Sequence, residues 1–210
     1  MPHNRNRGRN RGDKGDRKYG AGDVRARKES VARGRDQMAD CIFCSAGGFN
    51  HRGLDMDQKQ IREIIIRPTL KLLGMWSQSA EDLLLGTACQ ESHCGRYIRQ
   101  VGCSGTTGAF GVWQMELATA NDIYNNFLVH RPDIKKKVDG LRGAAQSMSD
   151  ALAGNLPFAC AMARLLYYRC PGVVPATLAG QAAYWKKYYN TVHGKGTEAE
   201  YIANWNMFAV

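Results

Sequence analysis

The sequence predicts a mainly α protein, on three observations. Apolar residues recur at helical spacing in stretches such as Ile61, Ile64, Ile65 and Phe158, Ala161, Met162, Leu165, Leu166. No alternation of apolar and polar residues lasts long enough to predict more than a small hairpin. Breaks such as Arg131-Pro132 and Pro171-Gly172 separate the apolar stretches.

The elements follow in order. A first helix is expected over 57–73, with Pro68 as a kink or boundary. Ser79-Ala80-Glu81-Asp82 supplies the start of a second, which runs to Glu91, because hydroxyl and acidic side chains suit the unpaired N–H groups of a first turn. Gly95 to Gly108 reads as a loop or paired turns. Ala118, Ile123 and Phe127 make 118–129 helical, and beyond Arg131-Pro132 a shorter charged helix covers 133–142. The next helix spans 157–168, and the last long one 175–189.

With 210 residues, 44% of them hydrophobic, the chain holds one ordinary domain plus extensions. Four parts are expected: a basic Arg/Gly-rich arm over 1–40, a Cys/Gly linker over 41–56, the helical domain over 57–195, and an apolar, aromatic C-terminal tail over 196–210 that docks on neighbours. Residues 1–36 contain twelve Lys or Arg and five Asp or Glu, a balance of +7 out of the chain's +10. Such a segment buries too little apolar surface to offset its ordering entropy, so alone it is disordered-prone. It is suited to acidic grooves on other proteins or to the phosphates of nucleic acid, within a multi-copy assembly. The first 36 residues contain no apolar secretory signal, and no window offers the ~18 uninterrupted apolar residues of a membrane span.

Seven cysteines are an odd number, so a disulfide scaffold is not compelled. Cys41-Ile-Phe-Cys44 with His51 offers three possible zinc ligands and no obvious fourth; no metal or cofactor is expected. Cys94 and Cys103 are candidates to bridge the loop after Glu91, whereas Cys89 and Cys160 read as small apolar residues on helices.

The chemistry concentrates around Glu91. The apolar run Leu83, Leu84, Leu85, Ala88 puts it on a mostly buried helix, where lost hydration penalises the charged carboxylate and favours a protonated acid. Glycoside cleavage begins with such a proton, because the leaving oxygen must be neutralised as an oxocarbenium-like state forms. The alternative is a buried carboxylate satisfied by a cap or an arginine. Seventeen residues later comes Gly108-Ala109-Phe110-Gly111-Val112-Trp113-Gln114. Gly108, Ala109 and Gly111 either admit a sugar ring close to the backbone or form an ordinary positive-φ turn. Gln114 bonds an acetamido group or closes the loop; Ser92 holds the acid or ends the helix; Trp113 and Tyr184 stack on pyranose faces or belong to the core. Glu116 reads as a helix N-terminal residue before a second catalytic carboxylate.

Gln90-Glu91-Ser92, then Gly108 to Gln114 with Ala118-Thr119, then Asn155-Leu156-Pro157-Phe158 and Ala182-Ala183-Tyr184 resemble, in order, the motifs of the soluble lytic transglycosylases, relatives of goose-type lysozyme. The likeness covers roughly residues 60–195. Gly111 to Glu116 with Asn121-Asp122-Ile123-Tyr124 is similar to a phage-encoded, virion-carried subset. Two departures stand out: Trp185-Lys186-Lys187 follow Tyr184 where the family has Asn and Gly, and Leu117 replaces a common proline. The resemblance implies a lysozyme-like helical domain that cleaves the MurNAc-GlcNAc β-1,4 bond of peptidoglycan glycan strands. Catalytic Glu91 would act with Ser92, Gly108, Ala109, Gly111, Trp113, Gln114 and Tyr184 lining the substrate. It also implies a virion location, with the arm on other virion proteins and action on the host wall during genome entry. The competing expectation is a structural tail, internal core or head-to-tail connector component that keeps the fold without activity. A third, from the arm alone, is nucleic-acid binding.

Overall fold

The computed structural model describes residues 56–143, 146–191 and 194–209. The expected basic arm, all but the last residue of the expected linker, and with them Cys41, Cys44 and His51, lie outside these residues. The described chain is mainly helical, as expected, with eight helices and one antiparallel strand pair.

Helix α1 covers 58–73 as an α-turn Gln58–Gln60, a π-helical segment Ile61–Ile66 and an α-helical segment Arg67–Leu73. Pro68 lies in the first turn of the α-helical segment, where the winding changes, and the helix continues through it. The Arg67 N–H bonds back to Arg62 O, and this widened turn ahead of the proline accommodates a ring that would otherwise press on the carbonyl four residues earlier. Helix α2 is Gln78–Ser92, and its cap is Ser77, two residues before the expected start: the Ala80 N–H donates to Ser77 Oγ at 3.1 Å.

Strands β1 (Ala109–Phe110) and β2 (Met115–Glu116) pair antiparallel, with Ala109 opposite Glu116 and Phe110 opposite Met115. A bridge between Arg99 and Phe110 adds the outgoing loop to this hairpin. Helix α3 runs from Leu117–Asp122 through a π segment Ile123–Phe127 into a 3-10 turn Leu128–His130. Pro132 opens α4 (Pro132–Arg142), where its missing N–H and fixed φ suit the first turn. A short α5 (Met148–Gly154), absent from the sequence-based expectation, is capped by Ser147.

Helix α6 (Leu156–Tyr168) is the axle of the domain. Asn155 caps it by accepting from the Phe158 N–H at 3.1 Å, and Phe158, Ala159, Cys160, Ala161, Met162, Ala163, Leu165 and Tyr167 are buried. A helix apolar on nearly every face must be surrounded, and α1, α2, α3, α4, α5 and α7 all pack on it. Each fully buried side chain of leucine or phenylalanine size adds about 1.5–3 kcal/mol. Helix α7 is Leu178–Trp185 with a π extension Lys186–Asn190, capped by Thr177 rather than starting at Pro175.

Residues 196–209 of the expected C-terminal tail fold against their own chain. Thr197 and Glu200 form a reciprocal capping box, and α8 (Glu198–Phe208) packs along α2 and α7 of its own chain. Its seat is made by Gly86, where a Cβ would overlap the Tyr201 hydroxyl and lie 2.5 Å from Cζ. The domain therefore extends past 195.

At the other end of α2, fully buried Glu81 ties two helices together. It accepts from Arg67 at 2.7 and 2.9 Å, from Arg62 at 3.1 Å and from the Trp76 indole at 2.8 Å. Burial works against its charge, yet hydrogen bonds from Arg67, Trp76 and Arg62 together hold the carboxyl below its ordinary value.

Candidate active site at the end of helix α2

Helix α2 ends in three consecutive left-handed residues: His93 (φ 49°), Cys94 (φ 54°) and Gly95 (φ 91°). The His93 N–H bonds Cys89 O at 3.1 Å and the Cys94 N–H bonds Ala88 O at 3.0 Å, so the chain folds back under the helix end. Glu91 stands two residues before this reversal and is half-buried.

The Glu91 carboxyl is held from across the fold. The buried Trp185 indole on α7 donates its Nε1–H to Glu91 Oε1 at 2.9 Å. Trp185 is itself pinned: the Tyr201 ring of α8 lies 5.4 Å from it, and the backbone at Gly196 comes so near that a Cβ there would be 2.7 Å from its Cη2. Behind the acid sits an aromatic cluster in which Tyr167 is 5.2 Å from Tyr189 and 5.7 Å from Tyr184. Burial, with added repulsion from neighbours that include Glu91, pushes the Tyr167 hydroxyl well above its ordinary value, and it shares a 2.8 Å hydrogen bond with Thr87 Oγ1.

Two long-range hydrogen bonds bind the glycine loop to the acid's helix and a third binds it to α7. Ser92 Oγ donates to Val112 O at 2.7 Å, Trp113 Nε1 donates to Leu84 O at 2.9 Å, and Tyr189 Oη donates to Trp113 O at 2.6 Å. Gly111 (φ 76°) is required twice over, by its backbone angle and because a Cβ would overlap the Leu152 carbonyl of α5. Gln114 closes the loop, donating to Gly111 O at 2.8 Å and to Tyr97 O at 3.1 Å.

The structure thus brings Glu91, Ser92 and the segment from Gly108 to Gln114 together, with α7 adjoining. It also sorts their roles. Ser92, Ala109, Gly111, Trp113, Gln114 and Tyr184 are buried. The Ser92 hydroxyl is engaged by Val112 O, Ala88 O and the Gly95 N–H, and the Trp113 indole by Leu84 O. For Ser92, Trp113 and Gln114 these bonds match the alternatives of helix end, core residue and loop closure that stood beside saccharide contact. Tyr184 packs edge-on against Tyr188 at 4.7 Å, and burial raises its hydroxyl above the ordinary value. Gly108 lies against Cys103 and Gln100. Glu116 occupies the N-cap position of α3, the helix-start role favoured over a second acid.

The candidate pair Cys94 and Cys103 is not bridged: Cys94 Sγ lies 2.7 Å from Cys89 Sγ, and Cys103 packs at Gly108. Cys89 and Cys160 are fully buried on helices, as read. Among the described residues, no group of three or more His, Cys, Asp and Glu side chains is gathered to hold a metal ion, and no helix is long and apolar enough to cross a membrane.

Three contributors escaped the sequence reading. Trp185 was noted only as a departure, Tyr189 only as a helix end, and Asn204, whose Nδ2 donates to Gln90 Oε1 at 2.7 Å, fell in the supposed tail. The aromatic density of Tyr184-Trp185-Lys186-Lys187-Tyr188-Tyr189 was the visible signal. Comparison with protein-family models, with curated proteins and with solved structures returns no match.

Proposed function

We propose that the protein is a lysozyme-like, lytic-transglycosylase-type glycosidase, carried in a phage virion, that cleaves the MurNAc-GlcNAc β-1,4 bond of peptidoglycan through Glu91. The observation that supports it best is the 2.9 Å bond from the Trp185 indole to Glu91, which orients a half-buried carboxyl at a helix end beside a glycine-rich loop. The indole orients the acid by bonding one of its two carboxyl oxygens, which suits a group that must hold a fixed position while it gives and takes a proton. In this reading Glu91 protonates the glycosidic oxygen, the C1–O4 bond breaks, and the substrate's own N-acetyl oxygen takes up C1. The resulting carboxylate then removes the proton of the C6 hydroxyl, whose oxygen displaces the acetamido group and closes a 1,6-anhydro ring. Water in place of that hydroxyl gives the hydrolysed product.

Digestion of purified sacculi with mass analysis of the released muropeptides tests this, since anhydro and reducing ends differ in mass. Glu91→Gln preserves size and the oxygen that receives the indole bond while removing the acid. Activity is expected to fall by about 100-fold or more, with unchanged circular dichroism. Wild-type digestion by that variant would remove Glu91 from the mechanism.

Burial of Ser92, Ala109, Trp113 and Gln114 favours a second reading, a structural virion component of tail, core or connector. Intact sacculi, together with incorporation of the chain into particles, would select it.

A further inference from the structure

We infer that Cys89 and Cys94 form a covalent redox pair, an oxidisable clamp across the turn that carries Glu91. Two observations converge. The two Sγ atoms lie 2.7 Å apart, closer than unbonded sulfurs rest and a small side-chain adjustment from the ~2.05 Å of a disulfide. Their approach is imposed by the backbone, since the left-handed Cys94 and its N–H bond to Ala88 O fold residue 94 beneath residue 89. Both residues are fully buried, so an oxidant reaches them when the turn opens locally.

The oxidant is a disulfide, either low-molecular-weight or carried by a protein. One cysteine thiolate attacks it, an S–S bond breaks, and one thiol leaves with a proton; the second cysteine attacks the mixed disulfide, its sulfur joins the first, and the second thiol leaves. Two electrons pass to the oxidant and the two cysteine protons end on the leaving thiols. The closed ring spans the six residues 89–94 and contains Glu91 and Ser92. A reducing cytosol keeps the pair open and an extracytoplasmic compartment closes it, so the turn stiffens where a wall enzyme acts. That last consequence rests on the proposed function; the bond itself does not.

The full-length protein is incubated with reduced or with oxidised glutathione, unfolded in guanidinium with an alkylating agent, and digested with trypsin. Peptide 72–96 contains Cys89 and Cys94 and no other cysteine. After oxidation it is expected to lose both alkyl groups and to weigh two hydrogens less than the unmodified reduced peptide, and the thermal midpoint of the folded protein to rise by roughly 4–8 °C. Cys94→Ser abolishes both changes. Full alkylation of both thiols after oxidation overturns the inference, as does a link from peptide 72–96 to the peptide containing Cys103. Neither readout involves glycan cleavage, so the clamp and the acid stand or fall separately.

Discussion

Replacing Gly86 with alanine sets two effects of opposite sign against each other. In a helix interior alanine is favoured over glycine by about 1 kcal/mol, so on an open face of α2 the change would stabilise. Here the new Cβ would overlap Tyr201 Oη, lie 2.5 Å from Cζ and 3.1 Å from Trp205 Cε3. Tyr201 is fully buried and cannot yield without moving α8. Overpacking of this kind costs about 1–3 kcal/mol, and displacing the hydroxyl from Leu83 O, 3.3 Å away, adds about 1 kcal/mol. Subtracting the helix gain leaves a net loss of about 1–3 kcal/mol. Equilibrium urea unfolding measures it as a lower midpoint at unchanged slope. Tyr201→Phe removes the overlapping oxygen, so the double variant should recover part of the loss, a coupling that a thermodynamic cycle reports. A Gly86→Ala midpoint at or above wild type would refute the seating of α8 on α2.

Gly111→Ala should destabilise by about 2 kcal/mol or more, from its left-handed backbone and the collision with Leu152 O, and a urea midpoint within error of wild type would contradict this. Trp185→Phe keeps most of the ring packing but removes the donor to Glu91; kcat/KM on sacculi should drop about tenfold or more with the fold intact, and unchanged turnover would show that the indole does not position the acid. Glu81, held below its ordinary pKa, contributes stability that is complete above an unfolded-state value of about 4.3 and is lost as pH falls through its lower folded value. Glu81→Gln should therefore lower the melting point most at neutral pH, with the gap to wild type closing in acid; a gap that is constant down to pH 3 would sink that account.

The long elements were legible because their signals are local. Asn155 and the apolar spacing behind it define α6, and Arg131-Pro132 separates α3 from α4. Pro68 marks the change of winding within α1, but the π segment before it has no sequence mark of its own. α8 was misread although Thr197-x-x-Glu200 is a helix-start signature; its apolar, aromatic content drew attention to partners instead of to α2. At the site, Glu91 and the glycine loop could be found by order and spacing. The Trp185 donor could not, since its partner is 94 positions away and an indole on an apolar helix looks like core until its N–H direction is known. Frame and contact residues were likewise indistinguishable: Ser92 and Gln114 have the same atoms whether they bond a sugar or a neighbouring carbonyl.

The seat of α8 also sets a timetable for biosynthesis. Tyr201 reaches Leu83 across 118 positions and Asn204 reaches Gln90 across 114. At about 5–20 residues per second, a ribosome takes roughly ten seconds between making one face of that contact and the other. Through that interval the nascent α2 stands with Gly86 uncovered, and Trp185, made shortly before Tyr201, gains its backing ring last, so the acid's surroundings are completed only after α8 has emerged.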